Sequence, residues 1–213
     1  MRYIEKTDPP EEFLTFCATP DVCFKSLSGD PKNALRKKLL EDQGYICCYC
    51  GCRIADDERT KIEHINCQDR YPQLSLVYNN MLASCDGGEY DRAHRVRPKH
   101  KCHCDAKKEN KDIPVTPLDK DIESLLTYFE DGTVKGTGAG ETLVNILGLN
   151  TDFLVSKRRN MIQAFFEDPP GDLEAELAWL KSKHDGMFDE FCFVLQQCVS
   201  VLVASKKALA MPV

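Results

Sequence analysis

No stretch of this 213-residue chain approaches the ~18 consecutive apolar residues that a bilayer-spanning helix needs, which argues against a membrane span. The first residues, Met1-Arg2-Tyr3-Ile4-Glu5-Lys6, are charged and lack the apolar run of a secretion signal. There is no internal repeat. Nor is there an overall excess of positive charge: 28 Lys and Arg stand against 34 Asp and Glu, for a net charge of −6. That balance counts against a nucleic-acid binder whose whole surface is basic. With 42% hydrophobic and 29% charged residues, the chain has the composition of an ordinary soluble protein long enough to bury a core. A cytoplasmic location is the expectation.

What the sequence has in abundance is cysteine, twelve in all. A reducing cytosol does not sustain a disulfide framework, so clustered cysteines there favour metal. Eight of the twelve fall within residues 47–104: Cys47, Cys48, Cys50, Cys52, Cys67, Cys85, Cys102 and Cys104. Cys17, Cys23, Cys192 and Cys198 lie outside and read as small buried apolar side chains. Charge is also uneven. From Arg92 to Lys111 eight cations face only Asp105 and Glu109, so that segment is +6 and the remainder −12. A basic face on an acidic body can still engage phosphates.

The expected fold class is α+β, with a small metal-stapled core set in a mainly helical chain. Three regions separate. Residues 1–44 read as an N-terminal helical brace, with Asp30 as N-cap, Pro31 at the first helical position, Leu35, Leu39 and Leu40 on one face, and Gly44 as the stop. Residues 45–112 hold the cysteines and histidines, and residues 113–213 read as mainly helical. Within the last region, Tyr128 to Val134 reads as a hairpin around Asp131-Gly132. Helices are expected over Thr151 to Phe166, with Phe153, Leu154, Met161, Ile162 and Phe165 as the apolar stripe, over Leu173 to Leu180, and over Met187 to Leu209.

Cys47-Cys48-Tyr49-Cys50-Gly51 contains a C-x-x-C knuckle, whose spacing lets two thiolates reach one tetrahedral zinc. Cys85 and Cys104 supply the second pair, with Cys102 or His103 as alternatives to Cys104, and Cys48 or Cys52 as alternatives within the first pair. Four thiolates make a closed structural site. Between the pairs lie Lys61-Ile62-Glu63-His64-Ile65 and, sixteen residues beyond His64, Asn80. Phosphodiester hydrolysis needs a base to deprotonate water and a cation to meet the developing charge. A neutral imidazole suits the first task, and oxygen ligands hold the hard cation needed for the second.

Residues 45–108 resemble the ββα-metal fold of the HNH endonuclease family. Its pattern of C-x-x-C, acid–His, Asn-Leu, Cys and Cys-Asn-x-x-Lys is matched by Cys47/Cys50, Glu63-His64-Ile65, Asn80-Met81, Cys85 and Cys104-Asp105-Ala106-Lys107-Lys108. The resemblance implies His64 as general base and Asn80 (or Asn79) as the orienter of its ring. It implies structural Zn²⁺ on Cys47, Cys50, Cys85 and Cys104, and catalytic Mg²⁺ or Mn²⁺ on Asp105 and Glu63. Arg92, Arg95, Arg97, Lys107 and Lys108 would contact phosphates. Asp105 stands where many members have Asn or His, Cys67 where proline is frequent, and eighteen residues separate Cys85 from Cys104 where compact members have about two.

Over roughly residues 1–165 the chain is most similar to the HNH nuclease subunit of Septu-type antiphage systems, also found beside some retrons. That branch carries the Met-Arg-Tyr-Ile start, the Tyr-Cys knuckle, Ile-Glu-His-Ile, Tyr-x-Asn-Met-Leu-Ala-Ser-Cys and His-Cys-Asp-x-Lys-Lys. It implies an endonuclease cutting DNA, with an SMC-like ABC ATPase as partner; separately, the carboxy-terminal helices are expected to dock on that ATPase. The same motif on its own also fits an RNase acting on a tRNA loop. The cysteines without the oxygen-rich site would leave a zinc-stapled adaptor without catalysis.

Overall fold

The structure is a computed structural model that describes residues 1–94 and 101–210, with the backbone alone for Arg92 and residues 207–210. It is α+β. Helices α1 (Glu11–Cys17) and α2 (Gly29–Gln43) precede a two-stranded antiparallel sheet of β1 (Lys61–His64) and β2 (Met81–Ser84). Short helices α3 (Glu89–Ala93) and α4 (Cys104–Lys108) complete the central region. A hairpin of β3 (Leu126–Tyr128) and β4 (Val134–Gly136) follows. The chain ends in α5 (Ala139–Leu147), α6 (Asp152–Glu167), α7 (Leu173–Leu180) and α8 (Cys192–Ala210). No helix among the described residues is long and apolar enough to cross a membrane.

The amino-terminal region is less helical than its sequence suggests, because residues 1–10 form neither helix nor strand. Ile4 N–H bonds to Pro117 O at 2.8 Å and Tyr3 N–H to Glu123 Oε1 at 3.0 Å, so this segment ties the front of the chain to the stretch before β3. Helix α2 begins after Ser28 rather than Asp30, which sits in the first turn where a carboxylate favours the helix dipole. It ends at Gly44, whose left-handed φ of 62° a side chain rarely adopts. Leu35, Leu39 and Leu40 are fully buried, as their spacing predicts. From the last turn, Gln43 clamps the central sheet: its Nε2 donates to Ala83 O at 2.7 Å, and its Oε1 accepts from Ala83 N–H at 2.7 Å. Helix α2 therefore braces β2 through a side chain that pairs with the strand as another strand would.

Residues from all three stretches of the chain share one buried core, from Met1 and Leu35 through Leu82 to Leu143 and Val199. Helix α8 starts five residues later than its apolar pattern suggests. Phe188 N–H is taken by Gly44 O and Phe191 N–H by Gly51 O, and Phe191 has φ 56°, so helical bonding starts only beyond it. In α6 the buried face is Leu154, Arg158 and Ile162, and Phe153 is exposed. Arg158 donates to Gly132 O and to Leu149 O, both at 2.7 Å, locking the β3–β4 turn to the loop before α6. Of the four outlying cysteines, Cys192 is buried, Cys17 and Cys198 are half-buried, and Cys23 is exposed. The buried reading of Cys23 is therefore corrected: it sits on a surface turn, where its N–H bonds to Ser26 Oγ.

Candidate active site and metal centre

Four sulfurs come together, the set that the resemblance implies. The Sγ atoms of Cys47, Cys50, Cys85 and Cys104 all lie within 4.8 Å of one another. Cys47 and Cys104 are 3.9 Å apart, and Cys50 and Cys85 are 3.8 Å apart. A zinc–sulfur bond of about 2.3 Å in a tetrahedron requires sulfur–sulfur edges of about 3.8 Å, so the quartet has the dimensions of a structural zinc site. Backbone amides face the sulfurs: Cys85 N–H points at Cys47 Sγ (3.3 Å) and Cys52 N–H at Cys50 Sγ (3.5 Å). Such donors favour thiolate over thiol.

The alternative ligands are used otherwise. Cys102 Sγ lies 3.9 Å from Gly88 O, and His103 places Nδ1 3.2 Å from Cys104 Sγ, outside the quartet. Its ring stacks on Phe153 at 5.6 Å. The long segment between Cys85 and Cys104 closes at its neck, where His103 N–H bonds to Gly87 O at 3.0 Å. A Cβ on Gly87 would sit 1.9 Å from His103 O, so only glycine permits this approach. The insertion leaves and returns at one point, and the fourth sulfur is delivered to the site despite its length.

Beside the quartet lies the acid–histidine strand. Antiparallel pairing sets Glu63 opposite Leu82 and His64 opposite Met81. Glu63 is 4% exposed, and one of its oxygens takes two donors: Tyr49 Oη at 2.8 Å and Lys108 Nζ at 2.7 Å. Lys108 also donates to His64 O at 2.9 Å. The Asp105 carboxyl is pushed up to about 8, first by burial and then by the neighbouring acid Glu63. Burial likewise drives the Tyr49 phenol well above its usual range, so it stays a donor. Two neighbouring carboxyl groups, with one oxygen of Glu63 already held, form an oxygen donor set of the kind that suits a hard divalent cation.

His64 is 6% exposed. Its Nε2 lies 3.0 Å from Ser75 O, a contact that requires the proton on Nε2 and leaves the Nδ1 lone pair as acceptor. Gln68 Nε2 approaches that Nδ1 at 3.3 Å, and the Phe24 ring meets the imidazole edge-on at 4.5 Å. Burial, with the Lys108 charge in the same direction, holds the imidazole below its ordinary range.

Two expectations change here. Asn80 is the buried asparagine and Asn79 the exposed one, but the side-chain hydrogen bonds of Asn80 go to Asn66 and Leu74 and not to the His64 ring. Its Oδ1 accepts from Asn66 N–H (2.8 Å) and Nδ2 (3.2 Å), and its Nδ2 donates to Asn66 O (3.0 Å) and Leu74 O (3.1 Å). The side chain staples the two ends of the loop between β1 and β2, and Leu74 adjoins Ser75, whose carbonyl meets His64. Lys108, expected on phosphates, is 1% exposed and engaged by Glu63, so in this structure it faces the acid and not solvent. Lys107 is half-buried on the same helix. Arg95, Arg97 and the Arg92 side chain lie outside the described residues. Tyr49, Ser75 and Gln68 are neighbours of the acid–histidine pair that sequence reasoning missed. Only Tyr49 carried a local signal, its place inside the knuckle.

Comparison with known proteins adds one relative. The chain is 30% identical to the Septu protein PtuB of Bacillus thuringiensis over 121 residues, which are 56% of this chain and 42% of that protein. The chain thus matches less than half the length of this curated relative. No protein-family profile matches the chain.

Proposed function

We propose that the chain is a metal-dependent HNH-type endonuclease that serves as the effector of a Septu-like antiphage system. The observation that carries this reading is a zinc-sized sulfur quartet beside β1, which bears Glu63 and His64, with α4, which bears Asp105, sending Lys108 to both the Glu63 carboxylate and His64 O. The similarity to the Septu protein PtuB supports the system to which it is assigned. By the same reading the activity is restrained or licensed by an SMC-like ABC ATPase, and DNA is the substrate.

In this account His64 accepts the proton of the attacking water at Nδ1, because Nε2–H is committed to Ser75 O. The water reaches Nδ1 by displacing the Gln68 amide. Burial favours the neutral ring, whose Nδ1 lone pair is then free to take a proton. Glu63 and Asp105 would hold Mg²⁺ or Mn²⁺, which supplies charge stabilisation to the phosphate oxygens. Lys108 neutralises one oxygen of Glu63 and fixes the backbone of His64, so acid and base keep one geometry. Asn80 acts at a distance, by holding the loop that carries Ser75.

The test incubates the wild-type protein and His64→Ala with supercoiled plasmid, single-stranded DNA and total tRNA, with and without Mn²⁺. Mn²⁺-dependent cleavage of plasmid by the wild type alone is expected. Cleavage confined to tRNA would move the substrate to RNA while keeping the site, and equal cleavage by His64→Ala would refute it.

A further inference from the structure

The zinc knuckle and the candidate hydrolytic site share a side chain. Tyr49 lies between the two sulfur donors Cys47 and Cys50 and is 0% exposed. The knuckle backbone around it is fixed by Cys47 N–H to Cys52 O (2.8 Å), Gly51 N–H to Cys47 O (3.0 Å) and Cys48 N–H to Ala83 O on β2 (3.1 Å). With its backbone held in this way, the Tyr49 hydroxyl donates to Glu63 Oε1 at 2.8 Å. Lys108 Nζ takes the same oxygen at 2.7 Å. Both donors therefore converge on Oε1, and neither of them holds Oε2. The second carboxyl, Asp105, is bonded through the chain to Cys104, another member of the quartet. Each of the two acids is thus tied to the sulfur tetrahedron, one covalently through Cys104–Asp105 and one through the Tyr49 hydrogen bond.

We propose that Tyr49 is a positioning residue that couples the structural metal to the hydrolytic cation: it aims Glu63 so that Oε2 is presented beside Asp105, and thereby sets the affinity for Mg²⁺ or Mn²⁺. The proposal rests on the reading of Glu63 and Asp105 as cation ligands. Donors that hold a ligating carboxylate are part of a metal site's affinity, because they fix the orientation the cation requires. Phenylalanine fills the same core volume and removes only the donor. A merely structural tyrosine would leave cation affinity unchanged when so replaced.

The experiment measures Mn²⁺ binding by electron paramagnetic resonance on zinc-loaded full-length wild type, Tyr49→Phe and Glu63→Gln, with zinc content and thermal midpoint recorded for each. The expected result is Mn²⁺ binding by the wild type that Glu63→Gln abolishes. Tyr49→Phe should bind Mn²⁺ about 10- to 100-fold more weakly with wild-type zinc content. Tyr49→Phe with wild-type Mn²⁺ affinity and intact zinc overturns the coupling and leaves the cation site standing. A wild type that binds no Mn²⁺ overturns both the coupling and the cation site beneath it. Should Tyr49→Phe lose its fold, wild type labelled with ¹³Cζ-tyrosine answers the same question. Saturating Mg²⁺ should move the Tyr49 resonance, and an unmoved resonance contradicts the proposal.

Discussion

Replacing Asn80 with alanine separates two roles that one asparagine in this motif could play. If it oriented His64 directly, the loss would fall on catalysis with little effect on stability. In the structure its amide makes four hydrogen bonds to Asn66 and Leu74, at 2.8 to 3.2 Å, and none to the imidazole. Asn80 is 4% exposed, so water replaces these partners poorly. Each such bond contributes about 0.5–1.5 kcal/mol net, and three backbone groups are left without their partner, which places the cost of Asn80→Ala at about 2–4 kcal/mol. For a chain of this length that is a fall in thermal midpoint of roughly 5–15 °C. Because the loop also carries Ser75, cleavage should fall as well, and Asn80→Asp, which keeps the acceptor and loses the donor, should lie between. Urea unfolding followed by circular dichroism reads the first quantity and plasmid nicking the second. Stability of Asn80→Ala within about 0.5 kcal/mol of wild type, the usual range for surface substitutions, would refute the staple.

Other expectations follow from the same contacts. Lys108→Met removes the cation from a buried pair and leaves Glu63 uncompensated, so it should cost about 3–5 kcal/mol; a change near zero in urea unfolding would return Lys108 to the surface role its sequence position suggested. Wild type is expected to hold about one zinc per chain and Cys104→Ser none, read by elemental analysis, and retained zinc would mean that His103 or Cys102 takes its place. Because burial lowers the His64 imidazole in the folded protein, the unfolded chain takes up that proton first on acidification. The stability advantage of the neutral ring is full above the unfolded value near 6.5 and is lost as pH falls from there toward the lower folded value. The stability difference between wild type and His64→Gln should therefore shrink as pH drops through that window, and a constant difference would contradict it.

The metal quartet was legible because C-x-x-C is a local constraint and the two distant cysteines were the ones set beside the strand and the Asp-x-Lys-Lys helix. That the eighteen-residue insertion still delivers Cys104 was not legible, since it depends on a glycine neck between Gly87 and His103 that no spacing encodes. The acid–histidine pair and Asn80 were found, but their bonding was not. Asn80 sits where a direct contact with His64 is plausible on a linear motif, whereas loop closure brings Asn66 and Leu74 nearer. Lys108 belongs to a run of cations that reads as a basic face for phosphates, and only the pairing of its side chain with Glu63 and His64 O on β1 turns it inward. Helix α8 shows the same limit in the fold: Phe188 and Phe191 continue its apolar period, yet their amides are spent on Gly44 and Gly51.

The central claim is that His64 at this site is the base of a metal-dependent phosphodiester hydrolysis. Its most direct test is the Mn²⁺-dependent nicking rate of wild type against His64→Ala at matched zinc content. The account predicts a loss of about 10²- to 10⁴-fold, the contribution of a positioned general base. Equal rates, with zinc intact in both, would contradict it.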